Sequence, residues 1–284
     1  MKLSNLLVLW SVVHATNFPA YAAPEARIVG GEMTTIEDFP YISAFIYYYP
    51  GPGIYVQRCV GSIVSSWHIL TTAFCFTYNN QVLIRKAKYL NNMFLRVGST
   101  NSMSGGELAY IRDVIKHPEY VEAPRQGDIA VVTLEDPLRM SATVGVLFIP
   151  PQGTYIPDYT AVKIVSWGFE TENGPQLEIL KTIQLNKIPL EECVESYKDV
   201  DAVAIDDPVI CASREGNYGV CNGDSGAPMV VGQVVVGLSS FYKECGNAAY
   251  PDVFTRIDRY SDWILSVAVA PTSNALPVVK RFFL

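Results

Sequence analysis

Histidine is the scarcest functional residue in this sequence. There are three in 284 residues, His14, His68 and His117, and no C-x-x-C pair accompanies them. The ligand sets of structural zinc sites are therefore missing, and no metal is expected. Basic clusters are missing too, and the formal net charge is −7. Phosphate binding needs grouped Lys and Arg, so nucleic acid is excluded as a partner. No later segment reaches the ~18 uninterrupted apolar residues of a membrane helix, so no membrane partner is expected. Internal repeats and low-complexity blocks are absent, and so is any Asn-x-Ser/Thr acceptor for N-glycosylation.

What is present is a globular chain with 49% hydrophobic and 12% aromatic residues, long enough for one large or two smaller β domains. Residues 1–22 read as a signal peptide, with Lys2 as the positive end, Leu6–Val13 as the apolar stretch and Ala20-Tyr21-Ala22 as a small-x-small cleavage site. A secreted, extracellular location follows. Six cysteines (Cys59, Cys75, Cys193, Cys211, Cys221, Cys245) in an oxidising space predict three disulfides. From Ile28 onward, short β-branched or alternating runs are punctuated by turn residues: Tyr41–Tyr49, Gly61–Leu70, Ala109–Ile115, Asp128–Leu134, Ala161–Trp167 and Val234–Ser240. Such texture predicts an all-β barrel or sandwich. Helical patterning is confined to Pro189–Tyr197 and Asp258–Val267. The tail 271–284 fits no element.

Four segments, in order, carry chemistry: Arg27-Ile28-Val29-Gly30-Gly31, then Leu70-Thr71-Thr72-Ala73-Phe74-Cys75, then Asp128-Ile129-Ala130-Val131-Val132, then Cys221-Asn222-Gly223-Asp224-Ser225-Gly226-Ala227-Pro228. Together they resemble the chymotrypsin/trypsin-like serine proteases, in an insect-type form, from Arg27 to about Ala268. The resemblance implies two antiparallel six-stranded β-barrels with the active site between them and a C-terminal helix. It divides the chain into a short pro-segment at 23–27, a protease-like domain at 28–270 and the tail. It pairs Cys59 with Cys75, Cys193 with Cys211 and Cys221 with Cys245, with an enlarged loop inside the second pair. It implies no cofactor, and the Ser99–Glu107 loop lacks the acidic residues of a calcium loop.

Acyl transfer in such enzymes needs a serine nucleophile, a histidine that takes its proton and a buried aspartate that orients the histidine. Ser225 and Asp128 match the first and third. The residue before Cys75, where the family has histidine, is Phe74, which carries no nitrogen and cannot accept a proton. His14 leaves with the signal peptide. His68 is placed on the same strand as Phe74, roughly 20 Å away if extended, and His117 on a surface turn; both read as structural. Loss of the base costs roughly 10⁶ in turnover.

Other parts match. Gly223 and Ser225 would supply oxyanion-hole amides. Cleavage after Arg27 by an activating protease would release the amino group of Ile28 to pair with Asp224. Gly219 takes the pocket floor where trypsins have Asp, Ser240-Phe241-Tyr242 forms a wall that Tyr242 narrows, and Asp252 stands where most relatives have Gly. Some crustacean and insect members combine these two changes, and in them the aspartate lends partial preference for basic side chains. The expected function is thus a non-proteolytic homologue that binds peptides, protease inhibitors or other proteases in its cleft. A weak serine endopeptidase with preference for basic residues and a structural role in a secretion are the competing readings.

Overall fold

The computed structural model describes residues 29–78, 81–82, 90, 92–176, 178–201, 203 and 205–271. The expected signal peptide and pro-segment, His14, Arg27, Ile28 and the tail beyond Pro271 lie outside them. The strands follow in chain order: β1 (Glu32–Met33), β2 (Ile42–Tyr49), β3 (Ile54–Ile63), β4 (His68–Thr71), β5 (Thr77–Tyr78), β6 (Gln81–Val82), β7 (Met93–Val97), β8 (Glu107–Lys116) and β9 (Ala130–Leu134). Then come β10 (Ala161–Ser166), β11 (Lys181–Lys187), β12 (Val209–Ser213), β13 (Pro228–Val231), β14 (Val234–Phe241) and β15 (Asp252–Arg256). Helix α1 (Leu190–Tyr197) and helix α2 (Ser261–Val267) are short, and 3₁₀ turns occur at Ala73–Phe76 and Ile257–Arg259.

Strands β2, β3, β4, β9, β8 and β7 close into an antiparallel barrel. A second ring runs β11-β10-β13-β14-β15-β12 and closes where β12 returns to β11 through Asn186↔Ser213 and Lys187↔Ala212, with β1 added outside β11. This is the expected all-β architecture. Strand composition explains it: β2 is almost wholly β-branched or aromatic, and β7 alternates buried and half-buried positions as its side chains point in and out of the barrel. Phe45, Ile69, Leu95 and Val132 fill the first barrel. A larger cluster holds Ile164, Met229, Leu238 and Phe254 together with Ile42, Leu70 and Val131 from the first barrel, so one core continues across the seam.

The three disulfides are the pairs implied by the family resemblance. Two details differ from expectation. The run Gly61–Leu70 is not one strand but the end of β3 and the start of β4, reversed at Ser65–Trp67, where His68 N–H donates to the Ser65 carbonyl. Consecutive serines there offer side chains that compete with a strand ladder. Consequently Phe74 does not share a strand with His68; it lies in the 3₁₀ turn after β4. No helix of the described residues is long and apolar enough to cross a membrane.

Candidate active-site cleft

The nucleophile candidate sits on a loop whose shape is dictated by close approach. Gly226 has φ +83°, and a Cβ there would meet the Val60 carbonyl oxygen at 2.2 Å and Thr71 Oγ1 at 2.3 Å, so only glycine fits. Val60 N–H donates to the Ser225 carbonyl at 2.8 Å, seating this second-barrel loop on β3. Gly223, at φ +87°, turns its carbonyl toward Gln57, whose buried Nε2 donates to it at 2.9 Å and also to the Cys59 carbonyl at 2.9 Å. Gln176 in turn donates to the Gln57 carbonyl at 2.5 Å. The orientation of the Gly223 peptide is thereby fixed by two side-chain amides. Ser225 itself is half-buried, and among the described residues its Oγ has no hydrogen-bond partner.

Asp128 lies just ahead of β9, 2% exposed. Its Oδ1 accepts the backbone N–H of Phe74 at 2.8 Å and its Oδ2 accepts the Ser240 hydroxyl at 2.6 Å. Its own carbonyl accepts Thr255 Oγ1 at 2.8 Å, so it is tied to β14 and β15 across the seam. Burial pushes its carboxyl above the ordinary range, while nearby Arg125 and the two hydrogen bonds pull the other way. The Arg125 guanidinium lies over the Phe74 ring, 4.0 Å from its centroid, and its Nη1 donates to the Ser240 carbonyl at 2.6 Å.

Both described histidines are engaged elsewhere. His68 Nε2 faces the Val269 carbonyl at 3.2 Å, which can only accept, so that nitrogen carries the proton and Nδ1 accepts from Ser65 Oγ at 2.8 Å. Burial lowers its pKa. The His117 ring meets Tyr260 and Trp263 edge-on, each at 4.9 Å. Together they dock the C-terminal segment and α2 onto the first barrel.

Two more carboxylates are buried beneath the loop. Asp224 accepts the Gly168 and Cys221 amides at 2.9 and 2.8 Å; burial nonetheless pushes it up to about 6. Asp252, 4% exposed, accepts only the Val220 amide among the described residues, at 2.8 Å on Oδ2, and burial holds its carboxyl well above the usual range. It stands against Gly219: a Cβ on that glycine would meet Asp252 Oδ2 at 2.7 Å and the Gly246 Cα at 2.9 Å. The glycine and the aspartate are thus one feature, because the carboxylate fills the space a side chain at 219 would need. Tyr242 is anchored by its hydroxyl to Asn222 Oδ1 at 2.7 Å. Val29 bridges Gly219, so the chain enters beside this glycine.

Ser225, Asp128, Ser240, Gly223 and Phe74 therefore converge at the seam, and Gly219 with Asp252 lies beneath. The sequence matches the Trypsin family model over residues 28–264. The chain belongs to the trypsin family. Trypsin CFT-1 of Choristoneura fumiferana is 32% identical over 247 residues, 86% of this chain and 92% of that one. Trypsin, alkaline B of Manduca sexta is 30% identical over 261 residues, 90% of this chain and 98% of that one. Venom serine protease Bi-VSP of Bombus ignitus is 28% identical across 83% of this chain. Among solved structures, the human heparin binding protein superposes with a TM-score of 0.70 at 20% identity, across 88% of this chain and 99% of that one, a likeness of fold.

Sequence reasoning missed Arg125, Gln57, Gln176 and Thr255 as members of this trypsin-family site. None carries a local signal, since each meets its partner only through the tertiary fold.

Proposed function

We propose that this chain is a secreted trypsin-family protein that does not hydrolyse peptides and instead holds basic peptides or protein loops in its cleft, protease inhibitors and other proteases among them. One observation carries the reading: Ser225 Oγ has no acceptor among the described residues, and what the Asp128 carboxylate accepts there is the Phe74 N–H on one oxygen and Ser240 Oγ on the other, with no imidazole between it and Ser225. A serine hydroxyl attacks an amide only when a neighbouring base takes its proton. Phe74 in the base position offers a ring and no lone pair. The recognition half of the cleft argues for retained binding. Asp252 is a buried carboxylate against Gly219 with a single backbone partner among the described residues, and in the pocket expected above that glycine an incoming Lys or Arg would supply its missing charge.

An activating cut after Arg27 belongs to the same proposal. Gly219, bridged to Val29, lies two residues before Cys221, whose amide binds Asp224. As the family resemblance implies, the new amino group of Ile28 would then pair with Asp224.

The test is Phe74→His, assayed with Lys- and Arg-containing peptide substrates after cleavage at Arg27. Hydrolysis in the variant, against none in the wild type, is expected. A folded, correctly cut variant that stays inert would show that more than the base has been lost.

A further inference from the structure

Arg125 is a cation with unused capacity. Its guanidinium is held in place twice, by the Phe74 ring at 4.0 Å and by one donor to the Ser240 carbonyl at 2.6 Å. Among the described residues no carboxylate lies within 4.0 Å of it, although seven other Lys/Arg–carboxylate contacts do satisfy that limit. Asp128, on which the Arg125 charge acts, already has a hydrogen bond on each oxygen and is almost wholly buried. Four of the five guanidinium donors are therefore left on a half-buried, pre-oriented fork.

Its place follows from the sheet. Ser240 lies at the bulge in the β14–β15 ladder, between Ser239↔Phe254 and Phe241↔Val253, which frees its carbonyl for Arg125. Asp252 adjoins Val253 on the facing strand. The Ser240 backbone that Arg125 holds and the Asp252 backbone are therefore roughly 6–8 Å apart, the span of about two residues of extended peptide.

We infer that Arg125 reads a carboxylate, so that the ligand is a segment with an acidic residue within two positions of the basic residue held by Asp252. The inference rests on the proposed reading of Asp252 and adds the second half of the recognition. A pre-oriented guanidinium loses little freedom on binding, and a half-buried charged pair is weakly screened, so the acid is selected rather than merely tolerated.

The experiment measures binding of cyclic peptides with one central arginine by fluorescence anisotropy. Glu is placed at each of the two positions on either side, with Gln at the same position as its control. The proteins are wild type, Arg125→Gln, Arg125→Lys and Asp252→Asn. At one position at least, Glu should bind about tenfold tighter than Gln, the scale of one charge-assisted hydrogen bond. Arg125→Gln should erase that ratio, and Arg125→Lys should keep only part of it. Equal binding of Glu and Gln at all four positions overturns the inference. So does tighter binding of every peptide to Arg125→Gln, which would make Arg125 a cap on the cleft. Failure of the underlying reading looks different: replacing the arginine by norleucine would then change nothing, and Asp252→Asn would be silent. If no peptide binds, both fail together.

Discussion

The two walls of the cleft finish their buried carboxylates in opposite ways. On the first-barrel wall Asp128 receives one hydrogen bond on each oxygen and lies near Arg125, while Thr255 holds its backbone. On the second-barrel wall Asp252 receives a single amide beside a glycine with no room for a side chain. A buried carboxylate bonded at both oxygens ties its neighbours together, and one with a single bond keeps more capacity for a partner. On the proposed reading, the wall once needed for proton transfer has become a staple between barrels, and the other wall still recognises ligand. Retaining a fold therefore does not require retaining the chemistry of each wall.

The largest effect that could break this contrast concerns Asp128 in two backgrounds. In Phe74→His, adding Asp128→Asn should lower kcat by about 10⁴, because the imidazole loses the group that sets its tautomer. In the wild-type background the same change should leave peptide hydrolysis at its existing level. A kcat that is indifferent to Asp128 in the histidine variant would mean that Asp128 has lost its orienting role.

Stability sharpens the same contrast. Asp128→Ala strands the Ser240 hydroxyl and Phe74 N–H in the seam, and a loss of about 2–4 kcal/mol is expected from urea unfolding. Asp252→Asn keeps an acceptor for Val220 and removes a poorly matched acid, so its change should stay below about 1 kcal/mol. Comparable losses would erase the distinction between tie and site.

The dependence on pH carries a definite sign. Asp224, pushed up to about 6, and Asp252, raised well above the ordinary 3.8, both hold a proton more tightly folded than unfolded. Their contribution is complete below about pH 4 and is lost as pH rises, for Asp224 by about pH 6. Unfolding curves between pH 4 and 8 should therefore show Asp252→Asn gaining on the wild type as pH increases. A wild type that gains on the variant over that range would reverse the assignment. The smallest effect belongs to Ser225→Ala, expected within about 0.5 kcal/mol of wild type by thermal unfolding, since its Oγ holds no structural bond.

Most of the fold was legible in advance. Four spaced segments and the strand runs led to two barrels, and strand ends erred mainly at Ser65–Trp67, where serines turn the chain inside an apolar run. The cysteine pairing followed from the family resemblance, and Ser225 and Asp128 were singled out because each lies in a segment with its own pattern. What escaped was the wiring between segments. Arg125 meets Ser240 across 115 residues, Gln57 meets Gly223 across 166, and Gln176 meets Gln57 across 119. No local periodicity encodes such contacts. His68 and His117 were read as structural, but their common task of docking the C-terminal segment emerges only once β4 and α2 are brought together.

The central claim is that Ser225 has no base. It is tested most directly by assaying peptide hydrolysis of the Arg27-cleaved wild type beside Ser225→Ala, over a range of basic substrates and at pH 6 to 9. The account predicts two indistinguishable rates at the level of the uncatalysed background. Turnover by the wild type that Ser225→Ala abolishes would contradict it, since the serine would then be an activated nucleophile despite Phe74.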